Sequence, residues 1–202
     1  MDQANFITLV GALASRPEYS HSNHGRQFFS FYLEVARLSG AVDILPILVA
    51  EELLKETPLT DGSGLRITGQ IRSYNSRLPS GRKLIISVLA ESIRLCDAPH
   101  ENEVQLVGTI CKEPAYRRTP LGREICDVML AVNRSYHRTD YLPCILWGRS
   151  AQEAAYYPIG TALTLSGRMQ SRNYIKILGD TAEQRTAYEI SALSAQIIEQ
   201  EM

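Results

Sequence analysis

The sequence has no excess of either charge, no long apolar run and no paired cysteines, and each shortage narrows what the chain can be. Lys and Arg total 21 against 22 Asp and Glu, a formal net charge of −1. Taken over the whole chain, that balance argues against a polyanionic partner. No apolar run approaches the roughly 18 residues of a membrane helix, so no membrane span is expected. The N-terminus, MDQANFITLVGAL, has no basic n-region and does not read as a signal peptide. Cys96, Cys111, Cys126 and Cys144 stand at least 15 residues apart and form no C-x-x-C pair. That spacing disfavours a zinc site or redox pair and points to reduced, packed thiols in a cytoplasmic protein. His21, His24, His100 and His137 are scattered over polar stretches, so neither a metal nor a cofactor is expected. There is no Ser/His/Asp order, no H-E-x-x-H, no G-x-x-x-x-G-K and no paired-carboxylate motif, so the chain reads as a non-enzyme.

What the sequence does have is an internal repeat. Shifted by 97, residues 5–50 fall on 102–147 with 14 identities in 46 positions and no gap. NFITLVGALASRPEY matches NEVQLVGTICKEPAY, and Gly25-Arg26, Arg37, Asp43 and Pro46 match Gly122-Arg123, Arg134, Asp140 and Pro143. One inserted residue then brings LRITGQIRS (65–73) onto LTLSGRMQS (163–171). The chain is a duplication, with domains expected at 1–97 and 102–202 around a short linker, CDAPHENE (96–103).

Each copy has the same layout. Ile7, Leu9, Gly11 and Leu13 alternate with other positions, as do Val104, Leu106, Gly108 and Ile110, so each copy opens with a half-buried strand. A turn-rich stretch follows, and then a second strand carries Phe29, Phe31, Leu33 and Val35, or Cys126, Val128, Leu130 and Val132, on one face. Phe28 and Tyr32 fall on its other face. Third strands cover 42–49 and 141–147, short helical patches 50–56 and 149–157, fourth strands 65–73 and 163–171, and fifth strands 84–95 and 187–198. Gly69 and Gly167 in mid-strand suggest a bulge or bend. Five strands with a short helix between the third and fourth is the order of an OB-fold. The expected fold is all-β: two tandem five-stranded Greek-key barrels set close together.

The neutral total conceals an uneven spread. Between 108 and 176 ten basic residues stand against five acidic ones, whereas from 177 onward Arg185 faces five carboxylates. Residues 1–100 are balanced, ten against ten. The basic block is interleaved with tyrosines, and Tyr136 and Tyr174 lie within two residues of Arg134, Arg138, Arg172 or Lys176. A sequence-tolerant binder of single strands needs this mixture, cations along the phosphates and aromatic faces under the bases.

The second copy resembles the bacterial single-stranded DNA-binding proteins. The likeness is carried by Asn102-x-Val104-x-Leu106-x-Gly108, Pro114, Gly122, LAVNRSY (130–136), YLPCILWGRSAQEAA (141–155) and IGTALTLSGRMQSRNY (159–174). The first copy matches more weakly, through NFITLVG (5–11), Pro17, Gly25 and LRITGQIRSYNSR (65–77). The resemblance places base-stacking aromatics at Tyr136, Tyr141, Trp147 and Tyr174. It makes Arg117, Arg118, Arg134, Arg149, Arg168 and Arg172 candidate phosphate contacts. In the first copy Arg72, Tyr74 and Arg77 are the corresponding candidates.

Function follows from the resemblance: binding of single-stranded DNA in replication, recombination or repair, with RNA also open, in a cytoplasmic, nucleoid-associated protein. Family members often assemble four OB domains, which implies a homodimer of this two-domain chain. Two departures qualify this. The positions equivalent to Tyr136, Tyr141 and Trp147 are Ser39, Ile44 and Ala50, so the first copy reads as a weakened binder or assembly module. The sequence ends SAQIIEQEM, without the family's flexible acidic tail for recruiting partner proteins. The competing reading is an OB-fold scaffold that binds protein in a replication or mobile-element complex and has little DNA affinity.

Overall fold

Alternating apolar residues give a chain that is mostly strand. The computed structural model describes residues 4–78, 81–178 and 181–198. The first copy holds β1 (Asn5–Leu13), β2 (Glu18–Asn23), β3 (Arg26–Ala36), β4 (Val42–Ala50), α1 (Glu51–Glu56), β5 (Gly64–Leu78) and β6 (Gly81–Leu95). The second repeats the order as β7 (Glu101–Ile110), β8 (Ala115–Arg118), β9 (Glu124–Arg134), β10 (Arg138–Trp147), α2 (Gly148–Ala154), β11 (Ala162–Leu178) and β12 (Thr181–Ile197).

Each copy closes on itself as an OB-fold barrel. In the first, β1 pairs with both β3 and β5, β3 with β4, β5 with β6, and β4 runs parallel to β6 at Ile47–Val88. The second closes in the same way, with β10 parallel to β12 at Cys144–Ile190. The barrel interiors are apolar; Ile7, Leu9, Leu33, Leu45, Ile47, Ile67 and Ile71 fill one, and Leu106, Ile110, Leu130, Leu142, Leu165 and Met169 the other. A register shift falls at Thr68/Gly69 and again at Ser166/Gly167. A Cβ on Gly69 or Gly167 would collide with the carbonyl oxygen of Leu89 or Ser191, so only glycine lets the neighbouring backbone approach this closely.

Several expectations are corrected. The turn-rich stretches hold short edge strands, β2 and β8, giving each copy six strands rather than five. Every residue of both is exposed, so no apolar alternation marks them in the sequence. The fourth and fifth strands are longer than expected, reaching Leu78 and Leu178 and starting back at Gly81 and Thr181. They project beyond the barrels as hairpins whose arms leave Tyr74, Ile175 and Ile177 exposed. The helix of the second copy stops at Ala154, leaving Tyr156 and Tyr157 in a turn. β1 is not half-buried: Thr8 and Val10, between its core-facing residues, are buried as well.

β1 is covered because it joins the two copies. It pairs antiparallel with β7, with Ile7 opposite Val104 at the centre, and those two positions are equivalent in the repeat. The chain therefore folds as an internal dimer about a pseudo-two-fold axis, and one sheet runs through both barrels. An asparagine shared by the two copies braces each barrel. Asn5 donates to Ile71 C=O (2.7 Å) and accepts from its N–H (2.9 Å), and Asn102 does the same with Met169 at the same distances.

Two buried carboxylates lock the copies together. Asp43 accepts from the Ser171 backbone N–H (2.7 Å) and hydroxyl (3.2 Å), while the Ser171 hydroxyl accepts from Ile44 N–H (3.3 Å). Reciprocally, Asp140 accepts from Ser73 N–H (2.7 Å), and Ser73 Oγ accepts from Tyr141 N–H (2.7 Å). Both carboxylates are fully buried, 0% exposed, and each is charge-matched: Asp43 by Arg37, Asp140 by Arg72 at 3.2 Å and Arg134 at 3.6 Å.

Removing Asp140 strands two half-covered guanidiniums and an amide. Asp140→Ala is expected to cost about 2–4 kcal/mol and Asp140→Asn less, read from urea unfolding midpoints. Burial raises the thiol pKa of Cys126 and Cys144 above the ordinary value. Both thiols should therefore resist disulfide-exchange reagents at pH 8 in the native protein and react promptly once it is unfolded.

Candidate nucleic-acid interface

Strand alternation assembles the candidate residues of the second barrel on its outer face. On β10 the core residues Leu142, Cys144 and Leu146 alternate with Tyr141, Pro143, Ile145 and Trp147. On β11, Arg168, Gln170, Arg172 and Tyr174 form the outward row, opposite Ser191, Glu189, Ala187 and Arg185 of β12. The rows meet because Ile145 pairs with Ser191, and the Trp147 indole N–H donates to Ser191 Oγ at 3.0 Å. Trp147, Tyr141, Tyr174, Arg168 and Arg172 therefore share one face. Trp147 is half-buried, while Tyr141 and Tyr174 stand exposed. The Arg172 guanidinium lies over one face of the Tyr174 ring, 5.8 Å from its centre, a cation–π approach that fixes the ring's position.

Tyr136 sits apart, in the turn between β9 and β10. It is 92% exposed, and with His137 it adopts the left-handed backbone conformation, at φ 62° and 53°. Non-glycine residues there are strained, and the turn holds the ring clear of the barrel.

The arginines are less free than the sequence suggests. Arg117 forks onto Asp127, Arg118 reaches Glu124 at 3.2 Å, Arg149 pairs with Glu153 at 2.8 Å, and Arg172 contacts Glu189 at 3.4 Å. The Tyr116 hydroxyl, with help from Gln152 and Arg118, holds the Glu124 carboxyl below the usual carboxylate range. Asp127 firms the charge on Arg117, and the field of buried Glu189 reaches it too. Arg134 is half-covered beside Asp140, and the Nε of Arg168 is buried without a partner. These surface pairs are individually weak, so an incoming phosphate has only to exchange with a carboxylate.

In the first copy Arg72 is engaged by Asp140 and Tyr74 is exposed. Arg77 lies on β5, and its side chain is outside the described residues. The equivalents of the stacking aromatics face elsewhere: Ser39 is in an exposed turn, and Ala50 is buried at the end of β4. Phe28 stacks on His21 at 5.1 Å, which ties it to β2. Sequence reasoning missed two things. One is a groove between the two long hairpins that brings Tyr32, Pro46 and Lys83 to Pro143, Tyr174, Lys176 and Arg185; only the reciprocal docking of the copies creates it. The other is that Arg138, beside Tyr136 in the sequence, has no carboxylate partner among the described residues.

The profile of the single-strand binding protein family matches residues 101–198. Single-stranded DNA-binding protein B of Bacillus subtilis is 40% identical over 80 residues, covering 36% of this chain and 71% of that protein. Single-stranded DNA-binding protein A of the same organism is 33% identical over 105 residues, 48% of this chain and 59% of that protein. The chain thus spans between about half and seven tenths of the curated relatives it matches. Among solved structures, the wild-type single-stranded DNA binding protein from Thermus aquaticus superposes with a TM-score of 0.79 over 98% of this chain and 94% of that chain, at 22% identity. That likeness is one of fold, and it extends over both barrels.

The Tyr136 geometry can be checked without a ligand. Tyr136→Gly relieves the left-handed strain and should raise stability by up to about 1 kcal/mol in urea unfolding, unlike ordinary turn truncations.

Proposed function

The chain belongs to the single-strand binding protein family, and on that premise we propose that it binds single-stranded DNA with little sequence preference and without catalysis. The observation that carries the reading is the shared outer face of Trp147, Tyr141 and Tyr174 with Arg168 and Arg172. Bases unstack onto the rings, each worth roughly 1–3 kcal/mol, while arginines take the phosphates. Tyr136 supplies a further stacking surface from its turn. Arg117, Arg118, Arg134 and Arg149 complete the phosphate track, and Arg72, Tyr74 and Arg77 extend it on the first copy.

Six of these arginines already pair with carboxylates: at Arg117, Arg118, Arg149 and Arg172 a phosphate contact is an exchange of partners, while Arg72 and Arg134 share the buried Asp140. Affinity should still fall with salt through counterion release, at about 0.7 in the log–log slope per phosphate. The domains on this reading are residues 1–97 and 102–202, the second the principal binder and the first chiefly an assembly module. The uncovered outer side of the joined sheet, including Val107, Thr164 and Gln196, is the surface for a second copy. The resulting homodimer would carry four barrels. Its role would lie in replication, recombination or repair in the cytoplasm.

Trp147 is the single tryptophan, so its fluorescence reports on the proposed face. Oligo-dT should quench it in a salt-dependent titration, and parallel titration with oligo-U compares RNA. Replacing Tyr136, Tyr174 and Arg172 together by Ala should weaken oligo-dT binding at least tenfold while leaving the unfolding midpoint nearly unchanged. Unaltered DNA affinity in that variant would favour the protein-scaffold reading instead. Light scattering at micromolar concentration should return twice the chain mass of 22.6 kDa; a monomer would exclude the four-barrel assembly.

A further inference from the structure

The pseudo-two-fold axis gives the molecule two equivalent clefts where the copies meet, and the duplication has let them diverge in charge. The first, about 990 Å³, lies between the β9–β10 turn and β5. Arg72, Arg134 and Arg138 line it with Tyr136, and His24 and Asn23 from the β2–β3 turn close its other side; no carboxylate is among its lining residues. Asp140 lies behind, answering Arg72 and Arg134 with a single charge. The Nε atoms of both arginines are buried without a hydrogen-bond partner. Arg138 is exposed and, among the described residues, has no ion-pair partner.

The second cleft, about 890 Å³, is built from the equivalent elements. Here Arg37 and Arg168 face Asp43, Glu101 and Glu103. The Nε of Arg168 is also buried without a hydrogen-bond partner, and of the three carboxylates Asp43 pairs with Arg37 and Glu101 with Arg66. Ser39 and Ala41 stand where the first cleft has Tyr136 and Arg138. The first cleft is thus lined by three arginines and no carboxylate, the second by two arginines and three carboxylates, so a phosphate chain is drawn to the first.

We propose that single-stranded DNA held on the second barrel crosses to the first through the Arg72–Arg134–Arg138 cleft alone, with Arg138 as a phosphate-binding residue of that crossing. This rests on the DNA-binding reading above. Tyr136 delivers the strand to the cleft mouth, the guanidiniums of Arg72, Arg134 and Arg138 that line it receive its phosphates, and exposed Tyr74, two residues beyond Arg72 on β5, receives the strand on the far side. The crossing gives the bound strand a fixed route over a chain whose architecture is otherwise two-fold.

The test compares two oligo-dT lengths on the full-length chain by fluorescence anisotropy. One, of about 10 nucleotides, fits a single barrel, and the other, of about 35 nucleotides, spans both. Arg138→Ala should weaken the longer oligonucleotide roughly fivefold in 0.1 M salt and lower its salt slope by about 0.7, the signature of one lost phosphate. The shorter oligonucleotide should bind as it does to the wild-type chain. Glu103→Gln, in the opposite cleft, should leave both affinities within about twofold, since the strand does not cross between the copies there. If Arg138→Ala leaves the longer oligonucleotide's affinity and slope unchanged while the wild-type chain binds it, the crossing is overturned and the DNA-binding reading stands. An effect of Glu103→Gln as large as that of Arg138→Ala overturns the one-sided route. Failure of the wild-type chain to bind either oligonucleotide overturns both.

Discussion

Everything functional in this molecule depends on two buried carboxylates reaching out of their own barrels. Asp43 holds the amide of Ser171, and Asp140 holds that of Ser73. A carboxylate at 0% exposure is tolerable only when its charge and lone pairs are answered. Here an arginine from the same copy and a backbone amide from the other answer them together. The amide is available only if the partner hairpin docks in one register. The cost of burying the charge is therefore converted into a fixed geometry between the barrels, which the β1–β7 pairing alone would leave free to twist.

That geometry decides which surfaces exist. The outer face of the second barrel, the groove between the hairpins and the two junction clefts are all consequences of how the copies meet. The same buried network sets the charge available to a ligand. Arginines that look like a free basic block in the sequence are mostly spoken for, and the positive potential survives where a single carboxylate serves two guanidiniums. Duplication matters because an assembly of identical chains must keep its equivalent clefts identical, whereas a fused pair can make one basic and the other acidic.

Much of the fold is legible in the sequence because the repeat doubles every signal. The barrel strands, the helix position and the glycine bulges recur 97 or 98 residues apart with the same apolar face. What was hidden is what polarity cannot mark. β2 and β8 are paired only at an edge and bury nothing, and the hairpin arms past Ser73 and Ser171 project beyond the core. The repeated Asn and Asp could be seen as identities, but their tasks, bracing β5 and β11 and clasping the other copy, need the third dimension. At the candidate site the residue types were legible and their partners were not. Arg138 differed from its neighbours only in lacking a carboxylate within reach, which no spacing in the sequence records.

The measurement that bears most directly on this account is amide hydrogen exchange of the full-length chain with and without saturating oligo-dT long enough to span both barrels. The account predicts added protection over 133–141 in the second copy and 70–75 in the first, with none over 35–38 or 99–105, which line the second cleft. Equal protection at both junctions, or protection confined to the second barrel, would contradict it.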